Sequence, residues 1–315
     1  MYLKLVQATC LLTFFAVVLS AYARLSDAGL SCSNWPACYE ENALKERQKP
    51  QTGAARGHAS WQWKLHSQVV QLLGILAVAV CALSWKNRNG LRQSPLLPTL
   101  YLVLMVFMAV FGVWSFYHLP RAVIVLVHLA GGIAMLTLLM WIALSLMTPA
   151  SAVEAVEARK WRTFSWLGFL LLMVQILLGG WVSSNFAALA CTDFPLCKGS
   201  LLPPMDFSYN LTNSTAPLSV EQLTAIHWMH RIGALLAVLY LSWLSVGIMA
   251  VEGLRKIGNT ILGLVALQFV LGISNGPIGL SLAGAVLHNA VAMLLLVPLV
   301  LLLFRLQNNT GVAEI

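Results

Sequence analysis

Apolar positions in this chain come in long unbroken runs, and polar positions gather in the short stretches between them. Eight runs are long enough to cross a bilayer: residues 3–23, 64–84, 96–116, 122–146, 164–182, 223–250, 257–275 and 282–304. Each is predicted to be helical, because lipid offers a backbone group no partner and a helix satisfies its own. The first run has a second reading. Lys4, the apolar stretch and Ala21-Tyr22-Ala23 also resemble a secretory signal peptide with its cleavage site. A counterpart of the same segment in mid-chain, described below, favours a membrane span.

Composition agrees with the pattern. Of 315 residues, 59% are hydrophobic and 10% charged, where a soluble domain carries about a quarter charged. The net charge of +8 raises nucleic acid as a partner, but the basic residues form no continuous stripe and the expectation is no nucleic acid. Orientation accounts for them better. Lys86, Arg88 and Arg92, then Arg159, Lys160 and Arg162, then Arg255 and Lys256 fall on one side of eight alternating helices. The positive-inside rule makes that side, and both termini, cytoplasmic. Lys45, Arg47, Lys49 and Arg56 point the other way from the first outer loop. Asp27, Glu40, Glu41 and Glu46 offset them there, and longer loops weigh less.

The chain also matches itself. Cys32-Ser33-Asn34-Trp35-Pro36-Ala37-Cys38 recurs as Cys191-Thr192-Asp193-Phe194-Pro195-Leu196-Cys197. At the same shift of about 160 residues, Gly112 falls on Gly272 and His128 on His288; His66 pairs with His230 at a slightly larger one. Two halves are expected, 1–150 and 151–315, divided at the polar segment 148–162. The fold class is therefore an all-α membrane protein, with eight transmembrane helices as two pseudo-symmetric four-helix bundles in parallel repeat.

Cys32, Cys38, Cys191 and Cys197 fall on outer loops, Cys10 and Cys81 inside spans. An oxidising exterior makes each loop pair a candidate local disulfide; a reduced surface pair is the alternative, and neither loop supplies the ligands that complete a zinc site. Cys10 and Cys81 read as apolar packing. Two Asn-x-Ser/Thr matches at Asn210 and Asn213 carry no weight without a eukaryotic secretory origin.

Four of the seven histidines, His66, His128, His230 and His288, fall inside the second, fourth, sixth and eighth spans, a few residues from the outer end. Ionisable residues inside a membrane are costly and mark function. One such histidine reads as a helix–helix hydrogen bond, whereas four at repeat-related positions read as metal or haem ligands. Two imidazoles on facing helices of a bundle are able to hold a haem between them. Arg231, Lys64 and Arg121 stand near these positions and would neutralise propionates. His227 shares the face of His230, while His58 and His118 read as interfacial.

Several stretches resemble one family, the haem A synthases. They are Gln175 to Asn185 with Gly179-Gly180-Trp181-Val182-Ser183-Ser184, Ala187 to Cys191 with Phe194-Pro195, Ile226-His227-Trp228-Met229-His230-Arg231, Leu271-Gly272-Ile273-Ser274-Asn275 and Val286-Leu287-His288-Asn289. The first half carries Arg24-Leu25, Gly29-Leu30-Ser31-Cys32, Trp35-Pro36 and His128-Leu129. The resemblance implies a bacterial cytoplasmic (inner) membrane enzyme, an oxidoreductase that converts the C8 methyl of haem O to a formyl group for terminal oxidase assembly. It places the substrate, haem O, between His66 and His128, and a permanent haem b between His230 and His288 with Arg231 beside it. A haem O synthase is the implied supplier, the lipid bilayer the surroundings, and both a monomer and a homo-oligomer stay open. One departure stands out. The family carries Glu-x-x-His-Arg on the second helix, where this chain has Trp63-Lys64-Leu65-His66-Ser67. Trp63 in the acid position keeps two other readings in view: a non-catalytic haem carrier of the same fold, and a di-haem electron-transfer cytochrome.

Overall fold

The computed structural model describes residues 1–27, 61–91, 93–118, 121–147, 153–208, 218–275 and 281–307. Cys32, Cys38, His58, the loop acids Glu40, Glu41 and Glu46, and Asn210 and Asn213 lie outside them, as do the side chains of His118 and Arg121. Among the described residues, eight α-helices run in order: α1 (Tyr2–Asp27), α2 (Trp61–Lys86), α3 (Leu96–His118), α4 (Arg121–Leu146), α5 (Ala155–Ser184), α6 (Val220–Met249), α7 (Arg255–Ser274) and α8 (Leu282–Gln307). All eight are long and apolar enough to cross a membrane. Even α7, with 20 residues, reaches about 30 Å at 1.5 Å per residue. The protein is an all-helical, multi-pass membrane protein.

Packing follows the chain. In the first half α1 meets α2 and α4, and α3 meets α2 and α4; in the second, α5 meets α6 and α8, and α7 meets α6 and α8. Across the middle, α4 packs on α5 and α8, and α1 on α8. Helix α4 divides its surface between two cores. Met135, Leu139 and Ile142 join Val6, Leu73 and Tyr101, whereas Ile133, Leu136 and Met140 join Leu172, Leu244 and Leu299. Neighbouring positions facing opposite ways are what a helix hydrophobic all round permits. Toward lipid, α3 presents Val103, Val106, Phe107, Val110 and Val113, a stripe at helical spacing.

Two helix starts lie further out than the apolar runs predict. Helix α5 begins at Ala155 inside the polar segment taken as a divider. Glu157 supports that first turn: its carboxylate accepts from Trp161 Nε1 at 2.9 Å and pairs with Lys160 at 3.9 Å. Helix α6 begins at Val220 because Ser219 and Gln222 form a reciprocal capping box. His230 therefore stands about three turns into its helix instead of a few residues from its end.

Candidate functional site

A cavity of about 680 Å³ opens within the second half, a size suited to a large organic ligand. His230 from α6 and His288 from α8 line it, with Gln175 of α5, Gln268 of α7, Arg231, and apolar side chains such as Ile176, Val265 and Met293. Leu25 of α1 also reaches its wall, so the first half helps to close the second half's cavity.

Each histidine ring is seated against a glycine on the next helix. A methyl group added at Gly179 of α5 would come within 3.2 Å of His230 Cε1, and one at Gly272 of α7 within 3.2 Å of His288 Cε1. Each ring also meets an amide. Gln175 Nε2 donates to the His230 carbonyl at 3.1 Å and lies 3.1 Å from His230 Nδ1. Gln268 Nε2 lies 3.3 Å from His288 Nε2. His288 Nδ1, His227 Nδ1, Gln175 Oε1 and Gln268 Oε1 are buried with no hydrogen-bond partner among the described residues. Buried polar atoms in native proteins are nearly always paired, so their clustering around one cavity marks a place built to receive something polar.

In the first half, His66 of α2 and His128 of α4 lie within electrostatic reach of each other. His128 Nδ1 stands 2.9 Å from the Ile124 carbonyl of its own helix. That contact assigns the proton to Nδ1 and leaves Nε2 its lone pair. Gly112 of α3 faces the ring, where an added methyl would lie 3.1 Å from Nε2. The Gly112/His128 approach thus has the form of the Gly272/His288 approach, on the helices that the repeat pairs. Phe111 tilts against His128 with ring centroids 5.5 Å apart, and Trp63 meets His66 edge-on at 6.0 Å. At the position where the resemblance sets a carboxylate, this chain places the Trp63 indole beside the histidine.

The loop that follows α5 is tightly organised. Cys191 and Cys197 form a disulfide with Cα atoms 4.7 Å apart. Arg231 braces it, Nη1 donating to the Leu196 carbonyl and Nη2 to the Cys191 carbonyl, both at 2.7 Å. The guanidinium expected to meet propionates therefore also fastens the disulfide loop above the cavity. Lys64 is exposed. Within the loop, the Asp193 carboxylate accepts from the Lys198 and Gly199 amides at 2.8 Å each. These donors, Gly199 first, hold its carboxyl below the usual carboxylate range.

Sequence reasoning quoted Gln175 within a motif without giving it a role, and passed over Gln268. The available signal was a side-chain amide inside an otherwise apolar span, which is costly there without a partner. Among the described residues, no group of three or more His, Cys, Asp or Glu is placed to hold a bare metal ion. The second-half residues do fit a haem: two imidazoles on facing helices, glycines beside both rings, apolar walls and unpartnered amides.

The chain is similar to proteins named heme A synthase. That of Shewanella oneidensis is 29% identical over 323 residues, covering 98% of this chain and 97% of the relative. That of Nitrosospira multiformis is 27% identical, covering 91% and 88%, and that of Halalkalibacterium halodurans 22% identical, covering 91% of each. A family model described as cytochrome oxidase assembly protein, COX15-CtaA, matches residues 4–300. With that match running from the first turn of α1 into the last turns of α8, through all four intramembrane histidines, the chain belongs to the COX15-CtaA family.

Proposed function

We propose that this protein is a haem A synthase, a membrane oxidoreductase that oxidises the C8 methyl of haem O to a formyl group by successive hydroxylations. Family membership and the names of its full-length relatives support the reading. The observation that carries it is the repeated placement of a histidine against a glycine of the adjoining helix, Gly112 with His128 and Gly272 with His288.

In this reading residues 1–150 form the substrate half and residues 151–315 the cofactor half. His66 and His128 hold the iron of haem O, and His230 and His288 hold that of a resident haem b. Bound there, haem b supplies one-electron transfer. The chain's own groups do the remaining work. The Ile124 carbonyl keeps the His128 proton on Nδ1, so that Nε2 offers a lone pair. Trp63, edge-on to His66, shields that ring and carries no titratable proton, so protons leave the first site by other groups. Arg231 holds the Cys191–Cys197 loop at the second half's cavity. The protein lies in the bacterial inner membrane with both termini cytoplasmic, takes haem O from a haem O synthase and feeds oxidase assembly.

Expression of the full chain beside a haem O supply, with extracted haems separated by chromatography, tests the activity. Haem A is expected to accumulate and to vanish with His66→Ala. Haem O persisting unconverted beside the intact chain would overturn the proposal.

A further inference from the structure

The second half's cavity is open on one side. Among the described residues, every wall residue that α5 and α8 contribute is buried or half-buried, Ile176, Val182, Ala285 and Met293 among them. The exposed part of the wall comes from elsewhere: from α6 at Leu235, from α7 at Phe269, and from the loop that follows α5 at Phe194, Leu201 and Leu202.

Helices α6 and α7 are closed near the turn that joins them. A methyl group added at Gly258 would lie 2.8 Å from the Ser245 carbonyl oxygen, and Leu244, Ile248, Ile257 and Ile261 share one buried core. Further along the pair, the wall becomes exposed. Leu235 stands 14 residues before Met249, where α6 ends, and Phe269 stands 14 residues after Arg255, where α7 begins. The two therefore face each other at one level, about 21 Å from the turn at 1.5 Å per residue. His230 and Gly272, which seats the His288 ring, stand within about a turn and a half of that level.

The loop above this gap is anchored on α6. Trp228 Nε1 donates to the Leu201 carbonyl at 3.1 Å, Gln222 Nε2 to the Asp206 carboxylate at 3.1 Å, and Arg231 to the Leu196 and Cys191 carbonyls. Toward α7 the loop reaches with the Phe194 ring, which meets Phe269 edge-on with centroids 6.4 Å apart. Phe194 is carried on the span that the Cys191–Cys197 disulfide closes.

We infer that the gap between α6 and α7 is a side mouth through which haem passes between the bilayer and the second cavity, with the Phe194 and Phe269 rings as its gate. The inference rests on the haem assignment proposed above. A largely apolar macrocycle partitions from water into lipid, and a mouth of leucine and phenylalanine admits it without desolvating polar groups on the way. The gate is light, because an edge-to-face pair of exposed rings adds little beyond the area it buries. The loop that carries Phe194 is firm, so the ring returns to its place once the mouth has been crossed.

A gate changes entry and exit alike, whereas a pocket contact changes exit alone. Full-length protein purified with its haems and reconstituted in phosphatidylcholine vesicles separates the two. Release of haem b to excess apomyoglobin is followed by absorbance, with chromatography identifying the haem that leaves. The depleted protein is then recharged from vesicles carrying haem b or from a solution of haem with albumin. Phe194→Ala and Phe269→Ala are each expected to speed release and vesicle-fed recharging together, roughly 2- to 10-fold. Leu235→Trp, which fills the mouth, should slow both. Leu170→Ala, exposed on α5 and outside the cavity wall, should match the parent. Unchanged rates in all three mouth variants would overturn the inference while the haem assignment stood. Faster release with unchanged recharging would make the rings pocket contacts and overturn it too, as would recharging hastened from albumin alone, which places the entrance in water. Parent protein holding no haem b would overturn the assignment, and the inference with it.

Discussion

His288 meets the Gln268 amide at Nε2 and leaves Nδ1 buried without a hydrogen-bond partner among the described residues. His288→Ala is expected to abolish haem b binding while the chain still inserts, because the lost ring borders a cavity; pyridine-haemochrome analysis of the purified variant reads this directly. Asp193 shows a second local effect. Its carboxyl titrates below the usual range in the folded loop, so its contribution to loop stability is present above about pH 3.9 and fades as pH falls through the lower folded value. Amide exchange at Lys198 and Gly199 should therefore accelerate on acidification in the parent protein and become insensitive to pH, after correction for intrinsic rates, in Asp193→Asn. The histidines were legible in the sequence because an imidazole in a membrane span is rare and four recurred in register. Gln175 and Gln268 were harder to read, since an amide has no titration and no metal affinity to announce it, and its meaning comes only from the ring it touches across a helix pair.

The helices themselves could be read from composition, since lipid enforces helix along any apolar run that crosses it. Their ends were less legible. Beyond the bilayer a helix continues as long as polar side chains support it, and the supports at Glu157 and at Ser219 with Gln222 are local hydrogen bonds that hydropathy does not register. The capping box is open to test: Ser219→Ala should cost about 1 kcal/mol and lower the denaturation midpoint of the detergent-solubilised protein without changing its haem content. Close helix approach gives the opposite outcome. A leucine at Gly272 would intrude on His288, where even a methyl lies 3.2 Å from the ring. Gly272→Leu is expected to lose haem b with little change in helicity, as absorbance and circular dichroism recorded together would show.

Across the whole molecule, the repeated cysteine motif and the paired histidines give the expectation of two four-helix units. The packing of first-half helices on second-half helices was not legible, because contacts between apolar helices leave no pattern that distinguishes them from contacts with lipid. Removing the second-half disulfide by Cys191→Ser with Cys197→Ser should cost about 2 kcal/mol for so short a loop. It should also free Arg231, with heat-induced haem b release moving to lower temperature in an absorbance melt. Helix α4 meets α5 where Leu129, next to His128, lies on Gly180, next to Gly179 and hence beside the His230 ring; a methyl at residue 180 would come within 2.7 Å of Leu129 Cδ2. A side chain at residue 180 would be admitted only if Leu129 moved. A chimaera that grafts one half from a distant homologue would have to match the mating face at this point, so the two halves must change in concert, like gears cut to mesh with one another.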